Sequence, residues 1–276
     1  MTLRSANELQ GYTIRATDGK IGGVHEFLFD DEHWTVRYMV ADTGDWLSGR
    51  LVLISPIALG HADWQGRELS VKLTRSQVEN SPDISTDQPV SRQREIELAN
   101  YYGYAPYWGG PGLWGAGMYP MGLWGVGYVG MAPQPTAPGA PPMSDATATE
   151  REVAPSQEQR GDPHLRSTRE VTGYAIQALD GDIGHVEDFI LDDESWALRY
   201  MVVDTRNWWP GKRVLVSPRW IESVSWDDRA VYVDLTKEQV KSGPEYDPER
   251  MLNREDEERL YRHYGRPAYW ESETRR

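Results

Sequence analysis

Two acidic tripeptides, Asp30-Asp31-Glu32 and Asp192-Asp193-Glu194, are the densest clusters of groups able to do chemistry in this chain. Carboxylates at that spacing could hold a hard cation through their oxygens. They lack the longer ligand series and the glycine of a calcium loop, and aspartates in a tight turn cap backbone N–H groups without any metal. Ser55 and Ser217 each precede a proline. Their hydroxyls are expected to cap the backbone rather than attack a carbonyl. Cysteine is absent, which removes disulfides, thiolate metal sites and thiol nucleophiles. The remaining groups suited to recognition are tryptophans on two loops, Trp46 in Gly44-Asp-Trp-Leu-Ser-Gly49 and Trp208 with Trp209 in Arg206-Asn-Trp-Trp-Pro-Gly211. A large aromatic on a loop either folds back over its own domain or anchors a protein contact.

The elements that carry these residues come in two copies. Displaced by about 162 residues, the chain aligns with itself without a gap from Leu3 to Trp108, with roughly four positions in ten identical. Gly11-Tyr-Thr-Ile14 matches Gly173-Tyr-Ala-Ile176, and Asp18-Gly-Lys-Ile-Gly22 matches Asp180-Gly-Asp-Ile-Gly184. Asp30-Asp-Glu-His-Trp34 matches Asp192-Asp-Glu-Ser-Trp196, and Arg37-Tyr-Met-Val40 matches Arg199-Tyr-Met-Val202. Val52-Leu-Ile-Ser-Pro56 matches Val214-Leu-Val-Ser-Pro218. A period this long marks a duplicated domain rather than a solenoid.

The duplication tests the candidate chemistry. His25 faces Glu187 in the second copy, His33 faces Ser195 and His61 faces Ser223, while His185 and His263 replace Gly23 and Tyr101. A metal or acid–base site common to both copies would keep its histidines. No catalytic residues, cofactor or metal are expected, and the chain is read as non-enzymatic.

Each copy reads as short strands and tight turns. The Asp18-Gly19 and Asp180-Gly181 pairs are hairpin signals. Runs rich in β-branched and aromatic residues, Val24–Phe29 and Trp34–Val40, flank the first acidic turn. Thr74-Arg-Ser-Gln77 and Thr236-Lys-Glu-Gln239 fit a helix capping box. Second helices are expected over Arg92–Tyr102 and Arg254–Tyr264, ended by Gly103 and Gly265, with Leu98 and Leu260 inward. Tyr102-Gly-x-x-x-Tyr107-Trp108 and Tyr264-Gly-x-x-x-Tyr269-Trp270 then dock the helix tail through aromatic rings.

The ordered set of motifs resembles the PRC-barrel, the small domain of the cytoplasmic part of the photosynthetic reaction-centre H subunit and of a ribosome maturation factor. The resemblance covers residues 1–108 and 163–270. It implies a mainly β fold, two small, strongly bent, SH3-like barrels, and roles in assembly and interaction. The H subunit also has a transmembrane helix before this domain, and no such segment precedes Gly11.

Between the copies, Leu98 to Ser144 holds no charged residue, and Gly112–Ala132 is dense in Gly, Trp, Tyr and Met. Its length suits a bilayer, but the frequent glycines and Pro120 oppose a helix, and Trp114 and Trp124 lie inside the stretch instead of at its rims. Residues 109–162 are therefore expected to be a flexible linker joining repeat 1 (1–108) to repeat 2 (163–276). With a net charge of -14, neither half has the basic face that nucleic acid requires. The expected function is a bivalent protein-interaction scaffold, cytoplasmic, stress-related or docked on a membrane complex, with Trp46, Trp208 and Trp209 as contacts and no small-molecule substrate. An H-subunit-like role in electron transfer and an unrecognised hydrolase are the alternatives.

Overall fold

The computed structural model describes residues 1–82, 90–108, 110–120, 164–205 and 211–273. In the first half the strands are β1 (Leu3–Ser5), β2 (Thr13–Ala16), β3 (Gly19–Asp30), β4 (Thr35–Asp42), β5 (Leu51–Ile54), β6 (Leu59–Asp63) and β7 (Glu68–Val71). In the second they are β8 (Leu165–Ser167), β9 (Ala175–Ala178), β10 (Gly181–Asp192), β11 (Leu198–Asp204), β12 (Arg213–Val216), β13 (Ile221–Ser225) and β14 (Ala230–Val233). The helices are α1 (Ala6–Leu9), α2 (Arg75–Glu79), α3 (Arg92–Tyr102), α4 (Thr168–Val171), α5 (Lys237–Ser242), α6 (Arg254–Tyr264) and α7 (Tyr269–Glu273). The protein is mainly β, with two seven-stranded sheets of the same path, β5-β4-β3-β2-β7-β6 and β12-β11-β10-β9-β14-β13.

Local sequence explains these elements. Thr74 and Thr236 form reciprocal capping boxes with Gln77 and Gln239. Gly103 and Gly265 close α3 and α6 in the left-handed conformation. The second glycine of each Asp-Gly-x-Ile-Gly motif has a packing reason. A Cβ on Gly22 or Gly184 would collide with the carbonyl of Asp42 or Asp204 on the neighbouring strand. Tyr38, Val40, Tyr200 and Val202, from the repeated Arg-Tyr-Met-Val motifs, are buried.

The seventh strand of each sheet comes from the other half. β3 and β10 are twelve residues long, but β2 and β9 cover only their first parts, up to Gly23 and His185. The far ends would present bare N–H and C=O groups, which are costly to leave unpaired beside a core. β8 pairs with Leu28–Asp30 of β3, and β1 pairs with Ile190–Asp192 of β10. Backbone bonds extend the exchange at the acidic turns: Asp31 N–H donates to His164 at 2.8 Å, and Asp193 N–H donates to Thr2 at 3.0 Å. The relation is a pseudo-two-fold. Its axis passes the bridge between Thr35 and Ala197, two positions that the repeat maps onto each other.

Around that axis the halves share one core. Phe29 lies 5.7 Å from Phe189 and Phe27 lies 6.0 Å from Trp196, ring centre to ring centre. Trp34 and Trp196 hold φ of 51° and 61°, a region unfavourable for bulky side chains. The backbone there turns each tryptophan carbonyl across the axis. Leu198 N–H donates to Trp34 at 2.7 Å, and Val36 N–H donates to Trp196 at 2.9 Å.

This corrects the expectation of two barrels whose spacing a tether sets. Strand exchange and the common core join the halves directly. The expected linker also begins with an ordered piece, because Gly110–Pro120 is built against the protein and Trp114 is buried. Residues 121–163 lie outside the described residues. A specific protease site inserted near Thr147 tests the exchange. After complete cleavage, the halves should co-elute as one species with the hydrodynamic radius of the uncut chain. Separate elution would contradict the exchange.

Candidate functional site

A polar seam lines the exchanged strands. Ser5 Oγ donates to Asp188 on β10, and its counterpart Ser167 Oγ donates to Glu26 on β3. Asp188 also accepts from the backbone of Asn7 at 3.0 Å, and Phe27 N–H donates to Thr168 Oγ1 at 3.3 Å. Burial pushes the Asp188 carboxyl up to about 6, against hydrogen bonds from Ser5, Phe189 and Asn7 that favour the charged form.

Beside the seam, each half builds a buried arginine cluster. Arg37 is 1% exposed and its Nε donates to Asp30 at 2.6 Å. Arg199 donates to Asp192 at 2.8 Å. Burial alone would raise the Asp192 carboxyl, but Arg199 and the Ser195 hydroxyl hold it below its ordinary value. The acidic turns thus carry structural work: Asp30 caps the backbone N–H of His33, and Asp192 caps those of Glu194 and Ser195. Asp31 bonds the side chains of His164 and Arg166 from the other half. Among the described residues, no group of three or more metal-ligating side chains is close enough to hold a metal ion.

Tyrosines complete the clusters. The Arg37 guanidinium lies 4.0 Å over the ring of Tyr107, and Arg199 lies 4.0 Å over Tyr269. Tyr107 OH donates to Glu95 at 2.9 Å; Tyr269 OH and Tyr200 OH donate to Glu257 at 3.0 and 2.7 Å. Burial raises the carboxyl of Glu257, against the Tyr200 hydrogen bond and the charge of Arg254. These bonds tie α3 and α6 to their sheets and give the Tyr-Trp motifs their place. Ser55 and Ser217 accept from the backbone of Ile57 and Arg219, as N-caps of short turns.

The clusters differ in what covers them. Over Arg37 lies the segment Gly110–Pro120, whose Trp114 indole N–H donates to the Ser195 carbonyl at 2.8 Å. Beside Arg199, among the described residues, runs a groove of about 1340 Å³ between the halves, walled by Trp34, Leu113, Arg219, Val224, Trp226 and Tyr269. β13 forms one side of it and is the last strand of its sheet. Its lining has both charge signs, from Arg199, Arg219, Asp31, Glu32 and Glu222. This mixture of aromatic surface, charge and a strand edge suits a peptide.

Of the tryptophans singled out from the sequence, Trp46 is half-buried, with the Arg75 guanidinium 4.4 Å over its ring. It borders a shallow hollow with Gly22, His25 and Thr43, away from the groove. Trp208 and Trp209 lie outside the described residues. Local sequence carries no sign of the groove, because its walls come from both halves and from the Gly110–Pro120 segment. Trp114, a large aromatic set among glycines before Pro120, was the available signal.

The seam gives a pH prediction. Folded Asp188 titrates above an unfolded aspartate, so the folded chain binds the extra proton between about pH 6 and 4. The contribution of this group to stability therefore rises as pH falls through that window. Asp188→Asn should remove this component, measured as urea unfolding of both proteins from pH 4 to 8, with a difference of up to about 3 kcal/mol at neutral pH. A pH-independent difference would contradict the assignment.

Sequence comparison adds the following. Residues 166–240, from β8 through most of α5, match the PRC-barrel domain family. An uncharacterized protein of Deinococcus radiodurans is 40% identical over 85 residues, which cover 30% of this chain and 30% of that protein. The match thus spans under a third of the length of that relative. In the second half of this chain, residues 166–240 are a PRC-barrel domain.

Proposed function

We propose that the whole chain is a tandem PRC-barrel protein acting as a non-enzymatic interaction scaffold. Support for a barrel domain in residues 1–108 comes from the identical strand path of the two sheets and the gap-free repeat of their motifs. The observation that carries the scaffold reading is the reciprocal strand exchange. It turns the two halves into one body with loops at its periphery, and loops on a common framework are where recognition varies. The polar clusters support the same reading, since their arginines, aspartates, tyrosines and glutamates are engaged with one another inside the protein.

The partner surface in this reading includes the loop of Trp46 and the matching loop of Trp208 and Trp209. The framework on either side is nearly constant, whereas the loops change from Asp45-Trp-Leu-Ser48 to Asn207-Trp-Trp-Pro210. Such divergence suits two different protein surfaces. A membrane-bound complex is the partner class suggested by the likeness to the H subunit. Among the described residues, no helix is long and apolar enough to cross a membrane. Attachment in this reading is through protein contact.

Photo-crosslinking from position 46 in cells, followed by mass spectrometry of soluble and membrane fractions, would identify the partner. With that partner purified, Trp46→Ala should weaken binding by roughly tenfold or more, while the melting temperature changes little. Unchanged affinity would remove the Trp46 loop from the interface. Loss of the folded protein would make Trp46 a structural cover.

A further inference from the structure

The hollow beside Trp46 collects cations in an acidic chain. It measures about 610 Å³, and its lining includes Lys20, His25, Trp46 and Arg75 together with Asp42 and Asp45. Arg75 is placed by packing and not by an anion. Its side chain crosses the Asp18-Gly19 turn, where a Cβ on Gly19 would lie 3.2 Å from its Cδ. Its guanidinium lies 4.4 Å over the Trp46 ring, and its Nε is buried without a hydrogen-bond partner. Among the described residues neither Arg75 nor Lys20 forms an ion pair, although the chain carries a net charge of -14. Asp42 is engaged locally, accepting from the N–H of Gly44 at 2.8 Å. A third cation adjoins the rim, because Arg169 of the other half donates to His25 Nε2 at 2.6 Å.

The repeat shows what is particular to this half. In the aligned second copy Lys20 becomes Asp182, His25 becomes Glu187 and Arg75 becomes Lys237, while Gly22 and Asp42 keep their types as Gly184 and Asp204. The framework is retained and the charge is reversed at two places. In the second half those two carboxylates serve the fold. Asp182 accepts from the N–H of Gly184 at 2.7 Å, and Glu187 accepts from Arg213 at 2.6 Å. The cations of the first half have no such internal work.

We propose that this hollow receives an aspartate or glutamate side chain of a protein partner, with its carboxylate on Arg75 and Lys20. The inference rests on the reading of the Trp46 loop as a protein contact, and it names the chemistry that the contact recognises. A guanidinium stacked on an indole leaves the terminal N–H donors in its own plane, the geometry that a carboxylate matches with two parallel hydrogen bonds. Packing between the Asp18-Gly19 turn and Trp46 already orders Arg75, so little rotamer freedom is lost on binding. Lys20 adds a point charge at the exposed edge. A recess strengthens such a pair relative to open surface, because the effective dielectric constant is lower there. The second half, with Asp182 and Glu187 at the matching places, would repel the same side chain.

Peptide selection on the full chain tests it. A phage library of random dodecapeptides is selected on the immobilised protein and counter-selected on Trp46→Ala, and the recovered peptides are synthesised and titrated by fluorescence anisotropy. The peptides should each carry an aspartate or glutamate whose replacement by the amide weakens binding by roughly tenfold or more. Arg75→Gln should cost a similar factor, Arg75→Lys less, and added salt should lower the affinity. Lys20→Gln, at an exposed position, should weaken binding by a smaller factor and supplies the test if Arg75→Gln fails to fold. Arg75→Glu should bind a peptide whose acidic residue is changed to lysine better than it binds the original. Peptides that need Trp46 but have no acidic residue, or that ignore both Arg75→Gln and Lys20→Gln, would overturn the carboxylate site and leave the Trp46 contact standing. Recovery of no peptide that depends on Trp46 would overturn both. Self-association of the full chain that Arg75→Gln abolishes, seen by sedimentation, would make a second copy the occupant and overturn the proposal.

Discussion

The structure depends on the need to pair the far ends of two long strands. β3 and β10 run past their hairpin partners, and each bare end is covered by the first strand of the opposite half. A three-residue strand has little stability by itself. Here it is held by ladder bonds, by serines donating to Asp188 and Glu26, and by the aromatic core behind it. The same constraint accounts for the left-handed Trp34 and Trp196, whose carbonyls must face the other half. The matched PRC-barrel region itself begins in β8, a strand that completes the sheet of its neighbour.

Burying the arginine clusters would be unfavourable if either partner stood alone, because an unpaired buried charge costs several kcal/mol or so. Each cluster avoids this through geometry that draws on distant parts of the chain. The aspartate comes from the acidic turn, the arginine from the next strand, and the tyrosine and glutamate from the helix and tail that follow the sheet. The clusters therefore link helix docking to the position of the acidic turn, and through that turn to the exchanged strand. Asp31 and Asp193 stand at this junction, with their backbone N–H groups bonded to the incoming segment of the other half.

Among the described residues, the two repeated clusters have different surroundings. In the first, Trp114 packs beside Arg37; in the second, Arg199 and Tyr269 line a groove between the halves. A site of this kind belongs to neither domain alone. It exists because strand exchange brings the His33–Trp34 turn of the first half against β11 and β13 of the second.

The sequence by itself determined the local structure. Repetition of ordered motifs established two like units; the capping boxes and glycine stops placed α2, α3, α5 and α6; and β-branched runs around the acidic turns placed the long strands. These features are written in short stretches, where backbone sterics and hydrogen bonding decide the outcome. The expected independence of the units did not follow from such signals. Strand exchange is invisible in local sequence, because Leu3-Arg-Ser5 and Leu165-Arg-Ser167 read the same whether they pair within their own half or across the axis. Trp114 was likewise read from its glycine-rich surroundings, which describe how easily a backbone bends and not what a side chain will find. Only the tertiary structure decided these points, since the partners lie far apart in the chain and come together through a shared core.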